Sequence, residues 1–270
     1  MSPNLFKTKQ QMDDFRLSDT DIIRFIEDGF VIVPNVFPNH LAKDILSLVL
    51  SELQSGNQAT SSPESNFIIL KKVFYNETIS QVFTKKYIGI VNQLCGTERW
   101  EYDEGIGHFF INYPVNKKKW EPVQNSWHVD NNTEYQNITS QKLGLITFHL
   151  FTDILPGGGG TAIRLGSHKY SARILSEGGY KGLKEVDFSL QAVKATRHLP
   201  FIEITGQAGD VLFMHPLTVH TRSLNISNNI RVIGHKFFHL FETLNFSEQN
   251  NGNHSLVEKS IIDYISQIEK

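Results

Sequence analysis

The chain is nearly without cysteine: Cys95 is its only one, so it can form no internal disulfide and no Cys-based zinc site. Long apolar runs are missing too, and nothing approaches the roughly 20 residues a membrane-spanning helix needs. Neither sign of charge dominates. A formal net charge of −2 leaves no global attraction for nucleic acid or an anionic membrane. The Lys117-Lys118-Lys119 run reads as a solvated loop. Met1 to Asp13 is polar and has no apolar core of the secretory type, so a reducing cytoplasm is the expected compartment. What the chain does have is apolar bulk: 40% hydrophobic residues, with 19 Phe, across 270 positions. That suits one large domain with a filled core better than two small ones.

Periodicity divides the chain. The segment from about 18 to 96 reads mainly as helical. Ser18 opens a helix with Ile22, Ile23 and Ile26 on one face, and Gly29 can stop it. Phe30 to Val33 read as a short strand. Asn39 can cap a second helix carrying Leu41, Ile45, Leu46, Leu48 and Leu53, and a third runs from about Thr78 to Cys95. Gln54 to Asn66 reads as a loop.

From about 99 to 241 the pattern turns to short strands: Phe109–Tyr113, Leu143–Thr152, Phe201–Ile204, Val211–Met214 and Arg231–Phe241, with turns between them. Strands at this spacing suggest a sandwich or barrel. The segment from Tyr170 to Pro200 interrupts them as a partly helical insertion, expected to cover one mouth of the barrel. A C-terminal helix is expected over about 255–269. The glycine run Gly157-Gly158-Gly159-Gly160-Thr161-Ala162 imitates a dinucleotide-binding fingerprint. No helical pattern follows it, and it reads as a tight turn.

Four residues carry most of the chemical information. His128 and Asp130, in Trp127-His128-Val129-Asp130, are two apart, and in a strand they project to the same side. A remote second histidine, His215 or His220, can join them. Two imidazoles and one carboxylate on one face of Fe(II) leave open positions for a co-substrate and dioxygen. Arg231, eleven residues after His220, can pair bidentately with a buried carboxylate.

The order of these elements is specific. Trp127-His128-Val129-Asp130, Gly160-Thr161, Gly166-Ser167-His168, Gly209-Asp210-Val211-Leu212, His220 and Arg231 follow one another in a pattern that resembles the phytanoyl-CoA dioxygenase family of Fe(II)/2-oxoglutarate-dependent oxygenases. Asp28-Gly29-Phe30-Val31-Ile32-Val33 is similar to that family's opening segment, so the likeness spans roughly residues 18 to 241. It implies a mainly β fold with flanking helices around a double-stranded β-helix (jelly-roll, cupin-like) core. It also implies His128, Asp130 and His220 as metal ligands, with no catalytic side chain beyond them, and favours His220 over His215.

By the same likeness Arg231 binds 2-oxoglutarate, with Asn112 and Thr161 as further contacts and Asn125 as a weaker one. Arg222 departs from the pattern, since relatives often carry Ser two residues after the distal histidine. The implied reaction couples conversion of 2-oxoglutarate to succinate and CO2, using O2, to hydroxylation of a small metabolite or natural-product intermediate. Desaturation, epoxidation or an acyl-CoA substrate are alternatives, as are a zinc hydrolase on the same ligands and a non-catalytic jelly-roll binding protein. Asp130 argues against halogenation, which needs that position open for halide. Neither the substrate nor the oligomeric state is legible.

Overall fold

In the computed structural model, residues 15–55, 59–61, 66–130, 134–138, 143–179, 181–247 and 253–266 are described. A seven-stranded sheet forms one wall, in the order β1 (Phe30–Val33), β10 (Val211–Met214), β6 (Leu143–Leu150), β12 (Arg231–His239), β4 (Phe109–Asn112), β3 (Phe67–Leu70) and β2 (Ala59–Ser61). All its pairings are antiparallel. A smaller sheet of β11 (His220–Thr221), β7 (Ala162–Arg164) and β9 (Phe201–Glu203) forms the other wall, and β5 (Tyr135–Gln136) pairs with β8 (Leu183–Lys184) apart from both.

The two-residue period of the strands explains the layering. Phe30, Ile146, Phe148, Leu150, Leu212, Met214 and Ile233 point to one side of the large sheet and pack with Ile163 and Ile204 in the interior of the jelly roll. Their neighbours Val31, Leu145, Phe151, Val211, Phe213, Val232 and Phe238 point to the other side and pack with helical residues such as Ile45, Val49, Tyr87 and Leu94. With both faces covered, a one-residue slip in register would exchange two apolar sets and expose nothing polar. Register is held instead by the polar groups that punctuate the strands, such as Thr147 and His149, both hydrogen-bonded to Tyr87 Oη.

The helices are α1 (Asp19–Asp28), α2 (Asn39–Gln54), α3 (Glu77–Ser80), α4 (Lys85–Cys95), α5 (Ser167–Glu177), α6 (Glu185–Ala195), α7 (Leu256–Lys259) and α8 (Ile262–Ser266). Ser18 caps α1 and Gly29 ends it at φ +87°, as the sequence suggested. In α2 the cap position is Pro38, and Asn39 instead donates to the Ala208 carbonyl.

The helix expected over Thr78–Cys95 is two helices. Thr84 interrupts it, accepting from Tyr87 N–H and donating to the Val36 carbonyl. The C-terminal helix also divides, at Ser260 and Ile261. Here Glu258 closes a capping box with Ser255 and takes both ends of the Arg99 guanidinium, at 2.6 and 2.8 Å.

None of the described residues of the insertion after Tyr170 lines the central cleft. The insertion forms most of α5 together with α6, which lean on the body of the protein. Lys169 of α5 pairs with Glu27, and Ser189 of α6 accepts from Val129 N–H at 3.2 Å. Among the described residues no helix is long and apolar enough to cross a membrane.

Candidate active site

The cleft opens between the two sheets and has a volume of about 90 Å³. Four elements supply its polar lining. The segment around Trp127 brings His128 and Asp130, β11 brings His220 and Thr221 with Arg222 beyond, the turn leading into β7 brings Thr161, and β12 brings Arg231 and His235. Phe67, Phe110, Phe148 and Ile233 complete it.

His128 and His220 face each other across an antiparallel bridge, and each donates its backbone N–H to the other's carbonyl at 3.0 Å. Each imidazole also directs Nδ1 at the carbonyl two residues before it. His128 reaches Ser126 O at 2.8 Å and His220 reaches Thr218 O at 3.0 Å. A carbonyl only accepts, so both Nδ1 atoms carry hydrogen and both Nε2 atoms are the ones available to a metal.

Both Nε2 atoms point at Asp130, at 3.4 Å from Oδ1 and 3.4 Å from Oδ2 respectively. All three donor groups lie within 4.8 Å of one another. Ligand atoms each about 2.1 Å from one ion, at angles near or somewhat above a right angle, stand roughly 3.0–3.4 Å apart, so the trio fits a single divalent metal. Val129 packs behind in the core at 3% exposure, which turns its two neighbours toward the cleft.

The charges reinforce the arrangement. Burial pushes the Asp130 carboxyl up, but the imidazoles of His220, His128 and His235 that face it outweigh burial and hold it well below the usual carboxylate range. Burial pulls His128 down, and the Asp130 carboxylate more than reverses this.

The Gly-Ser-His element has a structural job. Ser167 Oγ accepts from Val219 N–H at 2.9 Å and donates to Arg164 O, which pins the residue before His220. His168 lies elsewhere, fully buried against His215. His215, the rival ligand, is away from the cleft. Its Nδ1 accepts from Leu217 N–H, and burial lowers its pKa to about 3.

Arg231 is 2% exposed. Its Nε donates to Gly159 O at 2.8 Å and its NH1 to Phe110 O at 3.3 Å. Burial pulls its guanidinium down to about 9, against the opposing pull of Glu203. Among the described residues no carboxylate lies within ion-pair distance of it, which suits a carboxylate ligand entering the cleft.

The glycine run is the turn that holds Arg231. Glu203 accepts from Gly157 N–H at 2.7 Å and Gly160 N–H at 3.0 Å, while the Gly159 carbonyl faces Arg231 and Asn112. Gly159 stands at φ +77°, and a Cβ at Gly160 would lie 1.9 Å from the Ile204 carbonyl.

Thr161 lines the cleft, and Asn112 does not. Paired opposite Arg231, Asn112 donates to Gly159 O at 3.3 Å and Ser223 O at 2.9 Å. Asn125 is exposed and also outside the lining. His235 is the residue whose place in the site sequence reasoning missed. Its Nε2 is 3.8 Å from Asp130 Oδ2, among the rings of Phe110, Phe148 and Phe237. Its position four after Arg231 on one strand face was the available signal.

Similarity to solved structures agrees with the fold. The non-heme α-ketoglutarate-dependent carbocyclase SnoK from nogalamycin biosynthesis aligns at TM-score 0.60 and 17% identity, over 83% of this chain and 84% of that one. EctD from S. alaskensis, with 2-oxoglutarate and 5-hydroxyectoine, aligns at TM-score 0.52 and 16% identity, over 84% and 77%. HygX from Streptomyces hygroscopicus, with nickel, 2-oxoglutarate and hygromycin B bound, aligns at TM-score 0.50 and 13% identity, over 88% and 96%. Comparison with curated protein sequences finds no significant match. Residues 25–233 match the phytanoyl-CoA dioxygenase family, and with the jelly roll and the cleft described above the chain belongs to that family of Fe(II)/2-oxoglutarate-dependent oxygenases.

Proposed function

We propose that His128, Asp130 and His220 hold Fe(II), that Arg231 binds the distal carboxylate of 2-oxoglutarate, and that the cleft hydroxylates a small organic molecule beside them. The observation that carries this reading is the convergence of two tautomer-fixed imidazoles and one carboxylate beside a buried arginine. When bound, Fe(II) supplies dioxygen activation coupled to conversion of 2-oxoglutarate to succinate and CO2.

The chain's own residues do the rest. Ser126 and Thr218 carbonyls orient the imidazoles, and Asp130 stays ionised beside them. Thr161 offers a hydroxyl from the cleft wall, and Asn112 holds the Gly159 carbonyl that in turn positions Arg231. Phe67, Phe110 and Phe148 give the cleft apolar walls that exclude water from the reacting bond. A reducing cytoplasm would keep the iron ferrous.

The test is an anaerobic titration of the metal-free protein with Fe(II) and then 2-oxoglutarate, followed by aerobic succinate assays over a metabolite panel. A metal-to-ligand charge-transfer band and Fe(II)-dependent succinate release are expected. Absence of the band, or turnover of a hydrolytic substrate with zinc and no need for 2-oxoglutarate, would overturn the reading.

A further inference from the structure

Resting on that reading, we propose that Phe67 is a positioning residue for the co-substrate: its ring shields the Arg231 guanidinium from water and steadies it for the distal carboxylate. The placement follows from strand register. Phe67 of β3 is directly opposite Asn112 of β4, and Asn112 is directly opposite Arg231 of β12. The three therefore form one row across the sheet and share a face. Two strand spacings, about 10 Å, separate the outer backbones, a gap that a phenylalanine and an arginine side chain close together. Asn112 between them spends its amide nitrogen on the Gly159 and Ser223 carbonyls and stays out of the cleft lining. Phe67 reaches past it, and the Arg231 guanidinium carbon lies over its ring, 5.7 Å from the centre.

That contact adds to the constraints already on Arg231. The Gly159 and Phe110 carbonyls take two of its N–H groups. The remaining N–H groups are those a carboxylate can pair with. Phe67 is itself fixed. Its ring stacks on Phe110 at 6.0 Å with 25° between the planes, and Arg222 lies over it at 4.9 Å. The entry to its strand is tied down by Tyr113 N–H, which donates to Asn66 O at 2.7 Å, and by the Asn66 amide, which donates to Pro114 O at 2.8 Å. Phe67 is half-buried while Arg231 is 2% exposed, so the ring is the outer layer of this contact and the guanidinium the inner one. A cation held over an aromatic face is bound more firmly when water is kept from it.

The experiment compares 2-oxoglutarate with 2-oxopentanoate, which keeps the chelating end and the chain length but lacks the distal carboxylate. Each is titrated anaerobically into the Fe(II)-loaded protein, and the absorption band of the iron-bound oxo acid is read. Wild type should prefer 2-oxoglutarate. Because Phe67 acts through Arg231, Phe67→Ala should weaken 2-oxoglutarate by about three- to thirtyfold, the range of a cation–π contact from partly to fully shielded. It should leave 2-oxopentanoate unchanged, so the preference falls by the same factor. Phe67→Leu, which covers the guanidinium without a π face, should lose part of the preference and decides the matter if Phe67→Ala does not fold. In an Arg231→Gln background, Phe67→Ala should alter the binding of neither acid further.

Equal weakening of both acids in Phe67→Ala marks a general disturbance of the cleft and overturns the role. So does an unchanged preference, or an effect of Phe67→Ala that persists in Arg231→Gln. A wild type with no band, or with no preference for 2-oxoglutarate, overturns the co-substrate reading and this inference with it. A wild type that behaves as expected beside a Phe67→Ala with unchanged preference overturns the role of Phe67 alone.

Discussion

His128 and His220, 92 positions apart in the chain, are directly opposed residues of one antiparallel bridge, exchanging both backbone hydrogen bonds at 3.0 Å. Directly opposed residues send their side chains to the same face of a sheet, so the backbone pairing itself brings the two imidazoles together, with ring centres 4.4 Å apart. Asp130 then needs only the two-residue period of its own segment to reach both. The two imidazoles are therefore brought together by backbone pairing that needs no ion to form. We expect His128→Ala and His220→Ala each to abolish Fe(II) retention and 2-oxoglutarate-dependent succinate release while leaving far-ultraviolet circular dichroism intact. Metal content after desalting measures this, and a variant that keeps stoichiometric iron would contradict it.

Acidification should release the metal. The Asp130 carboxylate raises the His128 pKa above its ordinary 6.5, so a proton competes with metal for this ligand already above that pH. In the metal-free protein His128 thus contributes stability that is present below 6.5 and lost as pH rises through its raised value. Asp130 contributes in the opposite sense: its stability is present above 3.8 and lost as pH falls through its lowered value. Metal affinity should accordingly fall with decreasing pH from above 6.5, with proton release on binding. Calorimetric titration in buffers of different ionisation enthalpy reads both, and a pH-independent affinity between 5.5 and 7.5 (about two units around the ordinary imidazole value) would contradict it.

Arg231 predicts a thermal signature. Its guanidinium is buried without a carboxylate partner among the described residues, and 2-oxoglutarate would supply one. Ligand at about 100 times its Kd stabilises by roughly 2.7 kcal/mol, which raises the melting temperature by about 5 °C in a domain of this size. Arg231→Gln should lose that shift and raise the KM for 2-oxoglutarate by about tenfold or more, the weight of a charged hydrogen-bonded pair. Arg231→Lys should recover little, because one ammonium cannot reproduce the fork that also donates to Gly159 and Phe110. Equal thermal shifts in wild type and variant would argue against the assignment.

Glu203 and the glycine turn behave as one unit. Removing the carboxylate in Glu203→Ala leaves the Gly157 and Gly160 N–H groups without their acceptor and loosens the Gly159 carbonyl that holds Arg231. Each lost charge-assisted hydrogen bond weighs about 1.5–3 kcal/mol, so a measurable fall in melting temperature is expected. KM for 2-oxoglutarate should rise more than kcat falls, since the effect reaches the site through co-substrate binding. Gly160→Ala should be far worse, because its Cβ would meet backbone at 1.9 Å. Steady-state kinetics on soluble Glu203→Ala, with an unchanged KM, would remove Glu203 from this chain of contacts.

Much of this was readable from residue order because strand period converts sequence directly into facing. His128 with Asp130, and Arg231 with Ile233 and His235, alternate as a strand requires, and Val211–Met214 forms the strand its pattern indicates. Helix breaks were less legible. Thr84 and Ser260 interrupt continuous apolar stripes through hydrogen bonds that involve distant backbone or a local cap, which periodicity does not register. The family likeness marks Asn112 as a co-substrate contact, but it lies outside the cleft lining and its amide nitrogen is spent on carbonyls from two other loops, a pairing that only the tertiary fold creates. The packing of the insertion was hidden for a related reason. Its helices carry apolar faces, Phe188 and Ala192 on one and Ala172 and Leu175 on the other, and what those faces bury against is set by the tertiary fold.

His235 extends the proposed metal site beyond its three candidate ligands. Its Nε2 stands 3.8 Å from Asp130 Oδ2, and its ring is fixed edge-on to Phe110 at 5.8 Å and to Phe237 at 4.2 Å. A side chain held so firmly beside a ligand carboxylate can orient the carboxylate without touching the metal. His235→Phe keeps a ring of similar volume and removes the polar contact, so folding should survive. Metal affinity should weaken by about 10–100-fold, the usual weight of a residue that supports a ligand. His235→Gln, whose amide can still donate toward Asp130, should recover part of the loss. A steric role alone would give the opposite order, with Phe tolerated and Gln not, and competition for Fe(II) with a chelator of known affinity distinguishes the two.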